Sequence, residues 1–297
     1  MTKILVTGAT GKLGRLVVDR LLHRNVTTRV LTRRPEEAHR LWGSSVEIAT
    51  GDFGDGASLK EAVYGVDRVL LLSPITETLA VDQKRVIDAA LSSGVTRIVK
   101  ISGSDWTIQN SSRSISGAAH AQVERHLASS GIQYVILRPN AWMQVALEPI
   151  VAALSQGDTV PAQFGEAAVS FIDAGDIANV AAHALIEDQA PQGAFVLTGG
   201  EALTALDIAG VAARLLGRPV GSSRPLISAL SSHLGAFERK AIAEFRQLIG
   251  EGLAASVEDT VFRIIGREPR RVEDYLRDRL GAATSRRNTK QGEKTWR

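Results

Sequence analysis

The chain has 297 residues, 44% hydrophobic and 23% charged, the proportions of a folded globular protein and not of a disordered or fibrous one. It contains no cysteine, and its six histidines fall in no metal-ligand spacing, which excludes disulfides and thiolate catalysis and argues against a metal site. The net charge of +3 resides in residues 282–297, where Arg286, Arg287, Lys290, Lys294 and Arg297 meet only Glu293; the rest is close to neutral, and nucleic acid is not an expected partner.

Residues 3 to 7 read as a buried strand, a glycine turn follows, and Leu13, Leu16, Val17 and Leu21 then recur at helical spacing. Further strands are predicted near 27–32, 46–49, 68–72, 97–102 and 132–137, with helices near 58–64, 79–92 and 117–130. Almost wholly apolar strands alternating with helices predict an α/β fold, a Rossmann-type doubly wound parallel sheet. After Pro139 the rhythm loosens into a helix near 142–155, a segment 170–173 entering a helix that ends near Leu185, a strand from Ala194 to Thr198 and a helix from Thr204 to Leu216. From 226 to 280 the pattern is helical, with Pro269 in a turn before a last helix from Val272 to Leu280.

The expected organisation is a dinucleotide-binding domain over 1–140 to which some later segments return, a smaller, mostly helical C-terminal lobe over 141–281, and a disordered basic tail over 282–297. Apolar runs such as Val69 to Leu72 are far shorter than the roughly 20 residues of a membrane span, so no membrane segment is expected. Met1-Thr2-Lys3 passes directly into the first strand, leaving no room for a signal peptide, and the cytoplasm is the expected compartment.

Chemistry enters at Thr7-Gly8-Ala9-Thr10-Gly11-Lys12-Leu13-Gly14, between the first strand and the first helix. Glycines there let backbone approach a pyrophosphate, and the helix N-terminus offers free N–H groups and a favourable dipole. The spacing is GxxGxxG, one residue longer than the generic fingerprint. At the end of the second strand, where an NAD site places a carboxylate, the sequence reads Thr32-Arg33-Arg34. Guanidinium groups pair with a 2′-phosphate that a carboxylate would repel, so NADPH is the expected cofactor. Asp52, followed by Phe53, is placed to accept from the adenine amino group.

These residues resemble the NmrA-like, atypical branch of the short-chain dehydrogenase/reductases, which includes type 2 NADPH quinone reductases. The resemblance rests on TGATGKLG, GDF at 51–53, VKISG at 99–103, AQVERHLASSGIQYVILRPN at 121–140, SFIDAGDIA at 170–178 and GREPRRVEDYLRD at 266–278. It implies that Gly8, Thr10, Gly11, Leu13, Arg33, Asp52, Ser73, Pro74 and Pro139 line the cofactor, and that Asn140, Trp142 and Met143 lie near the nicotinamide or the substrate. Lys12, Gly14, Arg34, Phe53 and Ser102 complete the expected cofactor set.

The wider superfamily uses a Tyr-xxx-Lys pair, which this chain lacks: Tyr64, Tyr134 and Tyr275 are each followed four residues later by arginine, and the pair's places fall at Ser116 and His120. The expected catalytic residues are therefore His120, which could supply a proton or bind the nicotinamide ribose, Ser104, which could polarise a carbonyl, and Trp106, which with Trp142 could stack on a planar substrate. Each has a bland alternative, as a surface histidine, a loop cap or packing. A quinone or conjugated ketone needs little acid catalysis, so the favoured function is hydride transfer from NADPH to a planar small molecule of that kind; the rival is a redox sensor that binds NADP(H) without turnover. The stretch Ala236 to Leu248 is open to being a lid or a homodimer contact.

Overall fold

The computed structural model describes residues 2–223 and 234–281, so the expected tail over 282–297 and the start of the helical pattern at 226–233 lie outside the described residues. Its strands are β1 (Lys3–Val6), β2 (Thr27–Thr32), β3 (Glu47–Thr50), β4 (Arg68–Leu71), β5 (Arg97–Ile101), β6 (Gln133–Pro139), β7 (Thr159–Pro161), β8 (Gly193–Leu197) and β9 (Gly221–Ser223). Seven form one parallel sheet in the order β3-β2-β1-β4-β5-β6-β8. The order reverses between β1 and β4, the crevice where open α/β sheets bind ligands.

The sheet is covered on both faces because its strands alternate between two cores. Ile4 and Val6 pack with Leu13, Val17 and Leu21 of the helix Lys12–His23 and with Ile177 and Val180 of the helix Ala174–Ile186. Leu5 points the other way, towards Leu59, Val86, Ile87, Val123 and Leu127 on the helices Gly56–Val63, Leu79–Ser92 and Ile115–Ser129. A third core, with Ile150, Leu154, Phe171, Ile208, Leu248 and Leu276, builds the C-terminal lobe.

Ion pairs fasten the ends of this frame. At the N-terminal edge of the sheet, buried Arg68 donates to Leu185 O (2.8 Å) and Ile186 O (2.7 Å). Arg97 beside it reaches Ala184 O (3.2 Å) and Asp188 O (2.7 Å). Two cations thus take up the free carbonyls at the negative end of the helix Ala174–Ile186. Burial and the neighbouring Arg68 lower the Arg97 pKa from its usual value. At the opposite end of that helix, Asp173 caps Gly175 N at 2.6 Å, while Asp176 accepts from Arg267 (2.5 Å) and from Arg270 N (2.7 Å). The GREP segment and the SFIDAGDIA segment, distant in sequence, are the two halves of this one contact.

The structure departs from the pattern reading in several places. The helix expected over 142–155 is two, Met143–Ala146 and Glu148–Leu154, the second with Pro149 in its first turn, where a missing N–H costs nothing. The segment 170–173 enters the helix as expected and carries one bridge, from Ile172 to Trp142. Over 234–281, helix is limited to Ala236–Gly250, Thr260–Ile265 and 272–281, interrupted at Gly252 and Gly266, which hold φ of +87° and +71°. Lys100 sits in β5 with every residue of the strand buried. The helices Pro35–Trp42 and Asp105–Gln109 and the β7–β9 pair were not anticipated.

Arg97→Ala leaves helix-terminal carbonyls without their donor in a buried setting; we expect the variant to lose about 1–3 kcal/mol of stability by urea unfolding. An unchanged urea midpoint would show that water replaces the guanidinium without cost.

Candidate active site

The glycine loop is shaped by close approaches that no side chain could share. Gly8 has φ +61°, and a Cβ on it would lie 2.8 Å from Leu72 O; one on Gly14 would lie 2.2 Å from Gly8 O. The helix Lys12–His23 consequently starts against the β1 turn, with Gly11 as its N-cap, no side chain capping its N–H groups and no acidic residue in its first turn. An uncapped, acid-free N-terminus carrying Lys12 is a fit for an anion.

Around it opens a cleft of about 550 Å³, the size of a small-molecule site. Gly8, Thr10, Gly11, Lys12, Leu13, Arg33, Arg34, Asp52, Phe53, Ser73 and Pro74, all expected at the cofactor, line it together with Trp142. Leu31 and Thr32 at the end of β2, Thr76 and Thr78 in the loop after β4, and Asp82 in the first turn of the helix Leu79–Ser92 also line it and were missed. Arg33 is 76% exposed, with Asp52 3.7 Å away, and Arg34 reaches Glu37 at 3.0 Å. Glu37 is also held by Arg15, so this rim carries three guanidinium groups against two carboxylates. Asp52 spends one oxygen on Gly54 N at 2.7 Å. Buried Gln83 donates to Ser73 Oγ at 2.8 Å and leaves its Oε1 as the enclosed side-chain polar atom without a partner among the described residues.

One strand further along the same edge, beyond β4, a buried polar chain runs from β6 to the helix Ile115–Ser129. Arg138 holds Glu124 and donates to Asp105 Oδ1 at 2.6 Å. Glu124 Oε1 accepts from Ser102 Oγ at 2.6 Å. Ser102 Oγ in turn is 3.1 Å from Lys100 Nζ, which is 2.9 Å from His120 Nδ1 and 3.3 Å from Ile101 O. Lys100 is 0% exposed. Burial lowers its pKa to about 7, against the pull of Glu124 and with the push of Arg138. Burial, and then the charge of Lys100, hold the His120 pKa well below its usual value, so the ring is neutral. Among the described residues His120 Nε2 has no hydrogen-bond partner, and it is not among the enclosed unsatisfied atoms, so it keeps contact with solvent, although His120 is not one of the residues lining the cleft. Gly103 makes room for the ring, since a Cβ there would meet His120 Cδ2 at 2.9 Å.

Several expected residues sit elsewhere. Gly14 serves helix–strand packing. Ser102 belongs to the buried chain, and Pro139 lends its carbonyl to Ser104 Oγ at 2.8 Å, so the Ser104 hydroxyl is spent on the backbone. Trp106 is 6% exposed, donates to Asn140 Oδ1 at 2.8 Å and packs on Phe245, with ring centroids 4.7 Å apart. Asn140 spends its amide on Ser170 Oγ (2.7 Å) and Ala254 O (2.9 Å), and Met143, 1% exposed, lies in the lobe core. The structure thus places Ser104, Trp106, Asn140 and Met143 in the joint between sheet and lobe. His120 is no surface histidine. The stretch Ala236 to Leu248 packs within its own chain, Phe245 on Trp106 and Glu244 Oε2 accepting from Ile115 N at 2.7 Å. Among the described residues no group of acidic or histidine side chains could hold a metal, and no helix is long and apolar enough to cross a membrane.

Residues 1–276 match the model of the NmrA-like family. The chain is 33% identical over 276 residues to the (4-alkanoyl-5-oxo-2,5-dihydrofuran-3-yl)methyl phosphate reductase of Streptomyces griseus, covering 92% of this chain and 96% of that one. It is 29% identical over 288 residues to the NAD(P)H azoreductase of Xenophilus azovorans, covering 94% and 98%. The crystal structure of the NADPH-dependent quinone oxidoreductase of Escherichia coli complexed with NADPH superposes with a TM-score of 0.81 at 25% identity, covering 92% of this chain and 98% of that one.

A buried neutral histidine has a consequence for acid stability. Below about pH 6.5 the unfolded chain binds a proton at His120 that the fold refuses, so stability falls as pH drops, by up to about 1.4 kcal/mol per unit from this group. His120→Gln should flatten that slope between about pH 6.5 and 5 in urea midpoints; a slope equal to the parent's would mean that the ring titrates normally in the fold.

Proposed function

The chain belongs to the NmrA-like family, and from that premise we propose that it is an NADPH-dependent oxidoreductase, transferring hydride to a planar conjugated carbonyl or quinone-like small molecule. The observation that carries the reading is the cleft itself: glycine backbone and an uncapped helix N-terminus at one end, exposed guanidinium groups at another. Lys12, Leu13 and the loop N–H groups would hold the pyrophosphate, Arg33 and Arg34 the 2′-phosphate, and Phe53, Ser73 and Pro74 the flanking walls. The bound dinucleotide would supply the hydride.

The protein's own contribution is to position the acceptor and to exclude water. Trp142 lines the cleft and is bridged to Ile172, which suits it to lie over a flat acceptor. His120, neutral and with Nε2 free, is the proton donor to the oxygen of that acceptor, the role that tyrosine fills where a Tyr-xxx-Lys pair exists. Ser104 and Trp106 act by holding this joint, not by touching substrate.

A sensor reading draws on the same cleft and on the packing of Ser104, Trp106 and Asn140 into structure. The two separate in NADPH consumption over a panel of quinones and conjugated ketones, once binding has been established by titration. Turnover that falls roughly a hundred-fold in His120→Ala supports the reductase; tight binding with no turnover across the panel supports the sensor. For the cofactor, Arg33→Ala with Arg34→Ala should weaken NADPH binding by roughly ten- to a hundred-fold while leaving NADH within about threefold. Equal losses for both nucleotides would remove the 2′-phosphate assignment.

A further inference from the structure

The hydrogen bonds of the buried chain can be assigned proton by proton. Glu124, held by the Arg138 guanidinium, can only accept, so the Ser102 hydroxyl spends its proton on Oε1 at 2.6 Å. Ser102 Oγ is then left to accept from Lys100 Nζ at 3.1 Å. Ile101 O, at 3.3 Å, is also an acceptor. The third neighbour of Nζ is His120 Nδ1, at 2.9 Å. An ammonium has three protons for these three partners, so with Lys100 charged Nδ1 accepts and the ring carries its proton on Nε2, on the open side. A neutral amine has two protons, given to Ile101 O and Ser102 Oγ, and a lone pair that accepts from Nδ1–H; Nε2 is then bare. One proton on Lys100 therefore decides which ring nitrogen of His120 is the donor.

We propose that Lys100 and His120 form a proton-relay couple: Lys100 fixes the Nε2–H tautomer and replaces, through Nδ1, the proton that Nε2 gives to the acceptor oxygen. The proposal rests on the reductase reading for its substrate. In the step, the carbonyl carbon gains hydride from the dinucleotide, which is oxidised, and the C=O pair moves onto oxygen. That oxygen takes the proton from His120 Nε2, and His120 Nδ1 takes one from Lys100 Nζ. The end state is the neutral-amine arrangement just described, reached without moving a heavy atom, and the charge lost at Lys100 matches the hydride's. Lys100 is a positioning residue, since it acts only through His120. The groups that face it are Ser102 on its own strand, His120 and Glu124 on the helix Ile115–Ser129, and Arg138 on β6, backed by Asp105. Two cations and two anions balance there with Lys100 charged, and burial sets its proton loss at about 7, within reach of a working pH.

Lys100→Gln keeps an N–H donor for Nδ1 and removes the proton supply. The first readout is ¹⁵N NMR of His120 in the protein without ligand, identified against His120→Gln. We expect the Nε2–H tautomer near pH 6, passing to Nδ1–H across a midpoint near 7, and Nε2–H throughout in Lys100→Gln. A wild-type ring that keeps one tautomer from about pH 6 to 9, or that protonates to imidazolium near its usual value of about 6.5, overturns the couple.

The second readout compares acceptors in wild type and Lys100→Gln. A conjugated ketone needs hydride and proton, whereas a cationic triarylmethane dye becomes neutral on hydride alone. Lys100→Gln should lower kcat for the ketone by roughly ten-fold or more and abolish its decline above about pH 7, with the NADPH Kd and dye turnover within about twofold. Equal losses on both acceptors, or none on the ketone, overturn the relay. Wild-type protein that turns over neither acceptor strikes the reductase reading instead, and the tautomer shift still decides the couple.

Discussion

The distance between the first helix and the turn that precedes it governs the rest of the molecule. A methyl group on Gly14 would sit 2.2 Å from Gly8 O and 2.7 Å from Ala9 Cα, so the helix begins in contact with the end of β1 and nothing larger than hydrogen separates them. That contact aims the free N–H groups over the edge of the sheet between β1 and β4, where the strand order reverses. It also brings the apolar side of the helix onto Ile4 and Val6 and against the helix Ala174–Ile186. The last helix of this face comes from the second half of the chain, fixed by Arg68 and Arg97 at one end and by Asp173 and Asp176 at the other. Through those acidic residues the GREP segment, and with it the C-terminal lobe, is registered against the same helix pair that carries the glycine loop.

A second constraint is the cost of charge inside the sheet. Lys100 fills a place in β5 where its neighbours are Val99 and Ile101, and an isolated ammonium there would be strongly disfavoured. Glu124 and Arg138 share the burden, with Asp105 closing the set. Removing one member leaves the others buried and unmatched, which is why such groups persist together or not at all.

How much of this could be read in the sequence depended on whether a residue's role is local. The parallel sheet followed from near-continuous apolar strands, and the glycine loop from its place between strand and helix; both are set by neighbours in the chain. Arg33 and Arg34 were legible because the end of β2 is a defined position in the fold. Trp106, Asn140 and Met143 lie close to that edge in sequence but turn into the lobe, held by Phe245, Ala254 and Ser170. Those partners are tens to more than a hundred residues away, and no local pattern announces them. His120 was named but its burial was not, because the helix Ile115–Ser129 is covered on more than its sheet side, by Gly103 and Thr107 and by the helix Ala236–Gly250. The signal for the buried chain was present as a lysine in the apolar run VKIS, with Glu124 and Arg138 following; a charge in a fully buried strand demands partners, and these were the ones available.

Set beside the arrangement it replaces, the site shows a transposition more than a loss. A Tyr-xxx-Lys pair places the proton donor and the cation that tunes it one helical turn apart on a single face. Here the corresponding places are Ser116, whose hydroxyl lies 3.3 Å from Ser114 Oγ, and His120. In the proposed relay the donor stands at the position of the lysine, and the lysine stands on the neighbouring strand, within 2.9 Å of the ring's Nδ1. Imidazole makes this workable because it has two nitrogens: one addresses the buried cation while the other faces the open side, so the tuning group need not share the substrate's space. A phenol has a single oxygen for both tasks and must take its cation from the same side as its substrate. The strand lysine, costly to bury, is the arrangement that a histidine at this place on the helix would permit if it is the donor proposed above.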